Sequence, residues 1–293
     1  MKEKLKHTLS LLISIIFLYT IFPMSAVASS GLKLNKTSVI LAEGETFSLK
    51  NTSSGKGSIS WKSSKSSVAS VDKNGTIKAK KAGKATITAS TDGVKKKCSV
   101  TVKSSKKSAA LANYEAFLEK DRISWGPKSS GGSVSAEHCE FQLIYIDNDS
   151  VPELVLEGHM FDGNDVVSHA TGYSQLYCYR NGTVNNISVG DWYQYYPKKG
   201  VYISGYVNLG RISKEYYKLS KGKTRFLFSS DVPIPENTSG DGDEYYYGSN
   251  RQSIDKVTFN KLRKKAVGTT KRKDVDEKKF HVNTKKNRKK YLS

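Results

Sequence analysis

The residues with most chemistry in this chain are Tyr145, Ile146, Asp147, Asn148, Asp149, Ser150, Val151, Pro152, Glu153 and Leu154. Acids at alternate positions of a tight loop can turn their carboxylates toward one point, and a later acid can close the cage around a hard cation such as calcium. Asp147, Asp149 and Glu153 are the ligands this spacing offers. The same stretch also reads as a turn between two strands, in which Asp147 and Asp149 accept hydrogen bonds from nearby backbone amides. Two further acidic segments, Asp162 to Asp165 and Asp241 to Glu244, read as solvated turns.

A search for catalytic groups finds no nucleophile elbow, zinc-binding His-Glu-x-x-His, Walker loop or dinucleotide fingerprint. His138 and Cys139 are adjacent, and neighbouring side chains on a strand face opposite ways, so they make a poor base and nucleophile. His159 and His169 flank the Asp162 segment without a nucleophile to serve, and His281 lies in a basic tail. Glu140, Glu153 and Glu157 are the acids that paired-carboxylate glycoside hydrolysis would need. The expectation is a protein that is not an enzyme, with a secreted hydrolase of wall or extracellular polysaccharide as the alternative.

Charge is unevenly spread. Residues 31–103 hold fifteen lysines and arginines against four acids, residues 104–255 fifteen against nineteen, and residues 256–293 fifteen against three. Within the last segment, Asn283 and Thr284 can cap a short helix presenting Lys285, Lys286, Arg288, Lys289 and Lys290 as a cationic patch. The patch is either a contact for an anionic polymer or a solvated face. Aromatic residues are dense between Trp192 and Tyr217 and again at Tyr245 to Tyr247; exposed rings stack on sugars, whereas buried ones build sheet core.

The elements that must position these groups begin after a leader. Lys2, Lys4 and Lys6 precede an apolar run over residues 9–24 that meets Ala26, Val27 and Ala28. This is the pattern of a cleaved secretory signal over residues 1–28, too short for a span and interrupted by Pro23. A secreted, extracellular or wall-associated protein follows, with no later membrane span and no nucleic acid as partner. With no wall-sorting pattern visible, attachment is expected to be non-covalent. Cys98 reads as a small buried hydrophobe. Cys139 and Cys178 can form a disulfide only if their strands are neighbours.

Residues 29–103 alternate apolar and polar in short runs separated by turns, the largest signal being Asn74-Gly75 between Val71 and Ile77. Trp61 stands where a sandwich holds a large ring between its sheets. Trp61-Lys62-Ser63-Ser64, Ser67-Val68-Ala69-Ser70-Val71-Asp72, Asn74-Gly75-Thr76-Ile77, Gly83-Lys84-Ala85-Thr86-Ile87-Thr88-Ala89 and Cys98-Ser99-Val100-Thr101-Val102 resemble the group 2 bacterial immunoglobulin-like domain. The resemblance implies an all-β immunoglobulin-like sandwich of the kind found in surface and adhesion proteins, without catalytic residues.

Residues 104–109 read as a polar linker. Beyond it, Ala110, Leu111, Tyr114, Phe117 and Leu118 recur at helical spacing and predict a helix over 109–121. A Gly/Ser loop over 129–135 and a series of strands follow, with Asn181-Gly182 as the clearest hairpin. Ile254, Val257, Phe259, Leu262 and Ala266 predict a second helix, capped by Ser253 and stopped at Gly268. Residues 110–293 are therefore expected to be an α+β domain with a mainly antiparallel sheet. The 145–154 segment resembles the Asp-x-Asp-x-Asp-Gly loops of FG-GAP-like calcium-binding repeats and segments of uncharacterised exported clostridial-type proteins. It departs from them at Tyr145, where the first acid belongs, and at Ser150, where the turn glycine belongs, and both changes weaken a calcium site. The expected function is a cell-surface binding or adhesion protein. Its partners are cell-wall polymers (teichoic acid or peptidoglycan) or host and environmental glycans, and a calcium-stabilised structural module is a further alternative.

Overall fold

The computed structural model describes residues 31–293 apart from 54–57, 92, 126–131, 159–160, 163–164, 167–173, 209 and 235–241. The expected signal segment, His159, His169, Gly163, Asn164 and Asp241 lie outside the described residues. The molecule is mostly β-sheet, with three α-helices among the described residues.

The first seven strands are β1 (Ser38–Ala42), β2 (Thr46–Ser48), β3 (Ser60–Ser63), β4 (Ala69–Val71), β5 (Thr76–Ala79), β6 (Gly83–Thr91) and β7 (Val94–Lys103). They form two sheets, ordered β1-β7-β6-β3 and β2-β5-β4, with β1 parallel to β7. The period-two pattern decides which side chains enter the space between them: on β6, Ala85, Ile87 and Ala89 are buried while their neighbours are not. Gly75 turns the β4–β5 hairpin at φ +79°, and a Cβ there would lie 2.4 Å from the Leu49 carbonyl oxygen. Trp61 packs from β3 against the core and the facing sheet, at the margin of the sandwich rather than its centre. Its ring lies half-buried against Gly75, and the centre of the sandwich is filled by Leu41, Leu49, Ile77 and Ile87.

The expected linker is a helix. Ser105 accepts a hydrogen bond from the Ser108 amide at 3.1 Å and caps α1 (Lys106–Leu118), so only Ser104 and Ser105 separate β7 from the helix. Serine and lysine read as solvated linker residues, but Ala109 and Ala110, fully buried, bring α1 close against its neighbours. The Asn113 side chain donates to the Ile40 carbonyl at 3.0 Å, which fastens α1 to the outer edge of β1. Glu45 accepts from the Tyr179 hydroxyl, and Ala42 belongs to the same buried cluster as Tyr114, Phe141 and Leu154.

The remaining chain adds the hairpin β8 (Arg122–Trp125) and β9 (Gly132–Ser135), then β10 (Cys139–Ile144), β11 (Glu153–Gly158), the short pair β12 (Phe161–Asp162) and β13 (Asp165–Val166), β14 (Ser174–Arg180) and β15 (Thr183–Gly190). Next come β16 (Trp192–Tyr196), β17 (Val201–Asn208), β18 (Arg211–Ser220), β19 (Lys223–Pro233), β20 (Glu244–Tyr247), β21 (Gln252–Ser253), α2 (Lys256–Val267), β22 (Lys273–Asp274), β23 (His281–Val282) and α3 (Lys285–Leu292). One sheet is ordered β15-β14-β11-β10-β23, the other β21-β20-β19-β18-β17-β16-β22. Leu154, Leu156, Tyr177 and Tyr179 on one face of the five-stranded sheet pack against α1 and Leu292 of α3. Ile144, Val155 and Leu176 on its other face meet Tyr193, Tyr202 and Leu219 of the seven-stranded sheet, whose far face is covered by Phe259 and Val267 of α2. The order of layers is helix, sheet, sheet, helix.

Two further expectations are corrected, and the condition for a Cys139–Cys178 disulfide is not met. Part of the expected Gly/Ser loop, Gly132–Ser135, is the strand β9, because it pairs with Arg122–Trp125. Asp255, accepting from the Thr258 amide at 2.6 Å, caps α2, while Ser253 is paired with Tyr246 in the sheet. Cys139 and Cys178 are free and buried. Their strands β10 and β14 are separated by β11. Cys139 shares the α1 face with Phe141, and Cys178 alternates with Tyr177 and Tyr179 onto the other face.

Candidate functional site

The cationic patch is carried by α3. Thr284 accepts from the Asn287 amide at 3.2 Å, and Leu292, 1% exposed, anchors the last turn in the core beneath α1. Tyr291 stacks on His281 with centroids 3.6 Å apart and planes 6° from parallel. Burial first, then the charge of Lys290, holds the His281 imidazole below its ordinary value. A helix rich in lysine is thus fixed on the body by its apolar residues.

Arg288 does not belong to the exposed patch. Its guanidinium turns inward, donates to the Asn283 side-chain oxygen at 2.9 Å and lies 3.9 Å from Glu119. Asn283, itself buried, donates to the carbonyls of Leu118 and Ala136 at 2.9 and 2.8 Å. Arg288 and Asn283 therefore tie α3 to α1, a role the sequence concealed because both residue types usually sit at surfaces. Lys285, Lys286, Lys289 and Lys290 are exposed, and among the described residues none is ion-paired.

Two of these lysines and the like-charge pairs work against the helix, whereas Lys289 and Lys290, in its last turn, suit the dipole. Lys285 and Lys286 occupy the first turn, which has no acid, where the helix dipole disfavours cations. Lys285 faces Lys289, and Lys286 faces Lys290, as like charges one turn apart. Each effect amounts to a few tenths of a kcal/mol.

The acidic loop is built otherwise than a cage. Asp147 accepts from the Asp149 amide at 3.0 Å and Asp149 from the Val151 amide at 2.8 Å, while Lys106 stands 3.7 Å from Asp149. Glu153, 4% exposed, points inward and accepts from the Ile146 amide at 3.0 Å, pinning both ends of the loop together. Burial, then the nearby charges of Asp147 and Asp149, pushes the Glu153 carboxyl up to about 8. Among the described residues no three His, Cys, Asp or Glu side chains are grouped to hold a metal. The structure places Asp147, Asp149 and Glu153 in one loop but turns their oxygens to backbone amides.

Most of the aromatic cluster is core. Tyr193, Tyr196, Tyr202, Tyr216 and Tyr245 are buried, and Tyr202 stacks on Tyr217 at 5.3 Å. Trp192 lies flat over Gly205, where an added Cβ would come within 2.0 Å of the ring. Of the acids considered for hydrolysis, Glu140 and Glu157 sit directly opposite on β10 and β11, with the Ser174 hydroxyl 3.2 Å from Glu157. Asp243 is paired with Lys256 at 3.0 Å and holds the turn before β20 to the start of α2.

The sandwich geometry, with seven strands in two sheets, agrees with a comparison against family models in which residues 28–102 match the bacterial Ig-like domain (group 2). This segment is a bacterial Ig-like domain. The match ends before α1 and does not reach the acidic loop or α3. No curated protein matches the chain. Among solved structures, domains 5-6 of the S-layer protein SbsC are 16% identical, over 75% of this chain and 97% of that chain, with a TM-score of 0.24. Human protocadherin-24 EC1-2 is 16% identical, over 54% of this chain and 95% of that chain, with a TM-score of 0.21. At such scores neither likeness bears on what this chain does. No helix among the described residues is long and apolar enough to cross a membrane.

Proposed function

We propose that this chain is an exported, cell-surface binding protein without catalytic activity, which holds anionic polymers of the cell wall non-covalently through α3. The observation that carries this reading is the set of four exposed lysines without ion-pair partners among the described residues, two of them in the first turn where the helix dipole disfavours cations. The bacterial Ig-like domain supports a surface location, since such domains are typical of surface proteins. Teichoic acid, a polyphosphodiester, is a wall polymer of the charge that such a patch attracts.

The test is sedimentation of the full chain with purified sacculi, before and after removal of teichoic acid, at low and high salt. Binding that needs the polymer, fades with salt as exposed charge pairs are screened, and is lost when Lys285, Lys286, Lys289 and Lys290 are all changed to glutamine supports the proposal. Binding unchanged by those substitutions refutes it.

A further inference from the structure

A cleft of about 300 Å³ opens where the Ig-like domain, α1 and the β14–β15 turn meet. Lys36, just ahead of β1, and Lys120, just after α1, both line it. The Lys120 ammonium lies 4.7 Å from the Phe117 ring centroid, an attraction that holds it at the wall. Neither lysine is ion-paired among the described residues. Burial first, then the charge of Lys36, keeps Lys120 below its ordinary value. Thr37, Ser38 and Thr183 add hydroxyl groups to the lining. The Thr37 carbonyl is taken by the Ser99 amide of β7, whereas the Ile40 carbonyl points the other way and accepts from Asn113, so the Ser38 and Ile40 amides face the cleft side of β1.

Two ammonium groups sharing one cleft repel each other, and the species that relieves this is an anion. We infer that the cleft between the Ig-like domain and α1 is a subsite for a phosphate group, contacted by Lys36 and Lys120. The identification with a polymer's phosphodiester rests on the wall-binding reading above; that of the anion does not. Phosphate is favoured over carboxylate because the two cations lining the cleft are separate ammonium point charges. A planar carboxylate is better matched by the fork of an arginine, and none lines this cleft among the described residues. Lys120 also borders the neighbouring cavity that holds Asn283 and Arg288 under α3, so the subsite lies next to the element carrying the exposed lysines. Glu119, Asp121 and Glu137 line that second cavity, which makes it the less favourable of the two for an anion.

The experiment is an amide chemical-shift titration of the labelled full chain with inorganic phosphate, with a glycerol phosphodiester and with acetate, at constant ionic strength. Saturable shifts at Thr37, Ser38 and Thr183 with the phosphate probes and not with acetate are expected. The double variant Lys36→Gln, Lys120→Gln should weaken phosphate binding by at least about tenfold, the order expected for losing charge-assisted hydrogen bonds. Both lysines are exposed, so the variant's well-dispersed spectrum will show that it folds. Equal shifts with acetate, no shift at these amides, or an unchanged double variant overturns the inference. A response to the diester as well as to inorganic phosphate points to a polymer as the source, and to inorganic phosphate alone, to a free anion. If phosphate binds here while sacculi do not sediment the protein, the subsite stands and the wall-binding reading falls; sedimentation without phosphate shifts has the reverse meaning.

Discussion

Glu153 shows how a residue suited to one kind of chemistry is used for another. Its carboxyl is buried, accepts the Ile146 amide and keeps its proton up to about pH 8, against 4.5 for an ordinary glutamate. Because the folded pKa is the higher one, stability from this group is fully present below about 4.5 and is lost as pH rises through about 8. Glu153→Gln keeps the acceptor and removes the titration. Urea unfolding should find the variant close to the native chain at pH 5 and more stable at pH 9 by roughly 2–4 kcal/mol; an equal difference at both values would contradict the assignment. Asp149 makes a separate test of the loop. Asp149→Ala removes the bond to the Val151 amide and the Lys106 contact, and should lower stability by about 1 kcal/mol. Melting in calcium and in chelator should show the same loss, whereas a loss confined to calcium would make Asp149 a ligand.

At the scale of the element, α3 opposes its charge to its anchoring. Leu292, Tyr291 and the Asn283–Arg288 pair fix it, while the first-turn lysines and the two like-charge pairs along its exposed face loosen it. Lys286→Gln should therefore raise stability by about 0.3–1 kcal/mol in dilute buffer, read by urea midpoints, and at the same time weaken sedimentation with sacculi. A variant both more stable and equally well bound would reduce the patch to a solvated face. The helix and its Thr284 cap were legible in the sequence, since capping is local. The inward turn of Arg288 was not, because it depends on Asn283, Glu119 and α1, elements brought together only by folding. The same reason hid α1's start at Lys106: residues 104–108 are polar one by one, and burial of Ala109 and Ala110 comes from neighbours distant in the chain.

For the whole molecule, the Ig-like domain is joined to the body through α1, the Asn113–Ile40 bond and the Tyr179–Glu45 bond rather than by a flexible tether. Nuclear relaxation should accordingly give one rotational correlation time for residues 31–103 and for the two stacked sheets; separate times would restore the linker. The strands and turns of the Ig-like domain were readable from the sequence, because alternation and Asn-Gly turns act over a few residues. Charge distribution likewise showed two basic ends around an acidic middle. Which lysines stay exposed, which cysteines are neighbours and which rings are buried depended on sheet order and on the two sheets packing face to face. Lys36 and Lys120 share a cleft, and Cys139 and Cys178 are kept apart, for the same physical reason: a side chain's direction follows from its own strand or helix, but what it meets is set by the element packed against it.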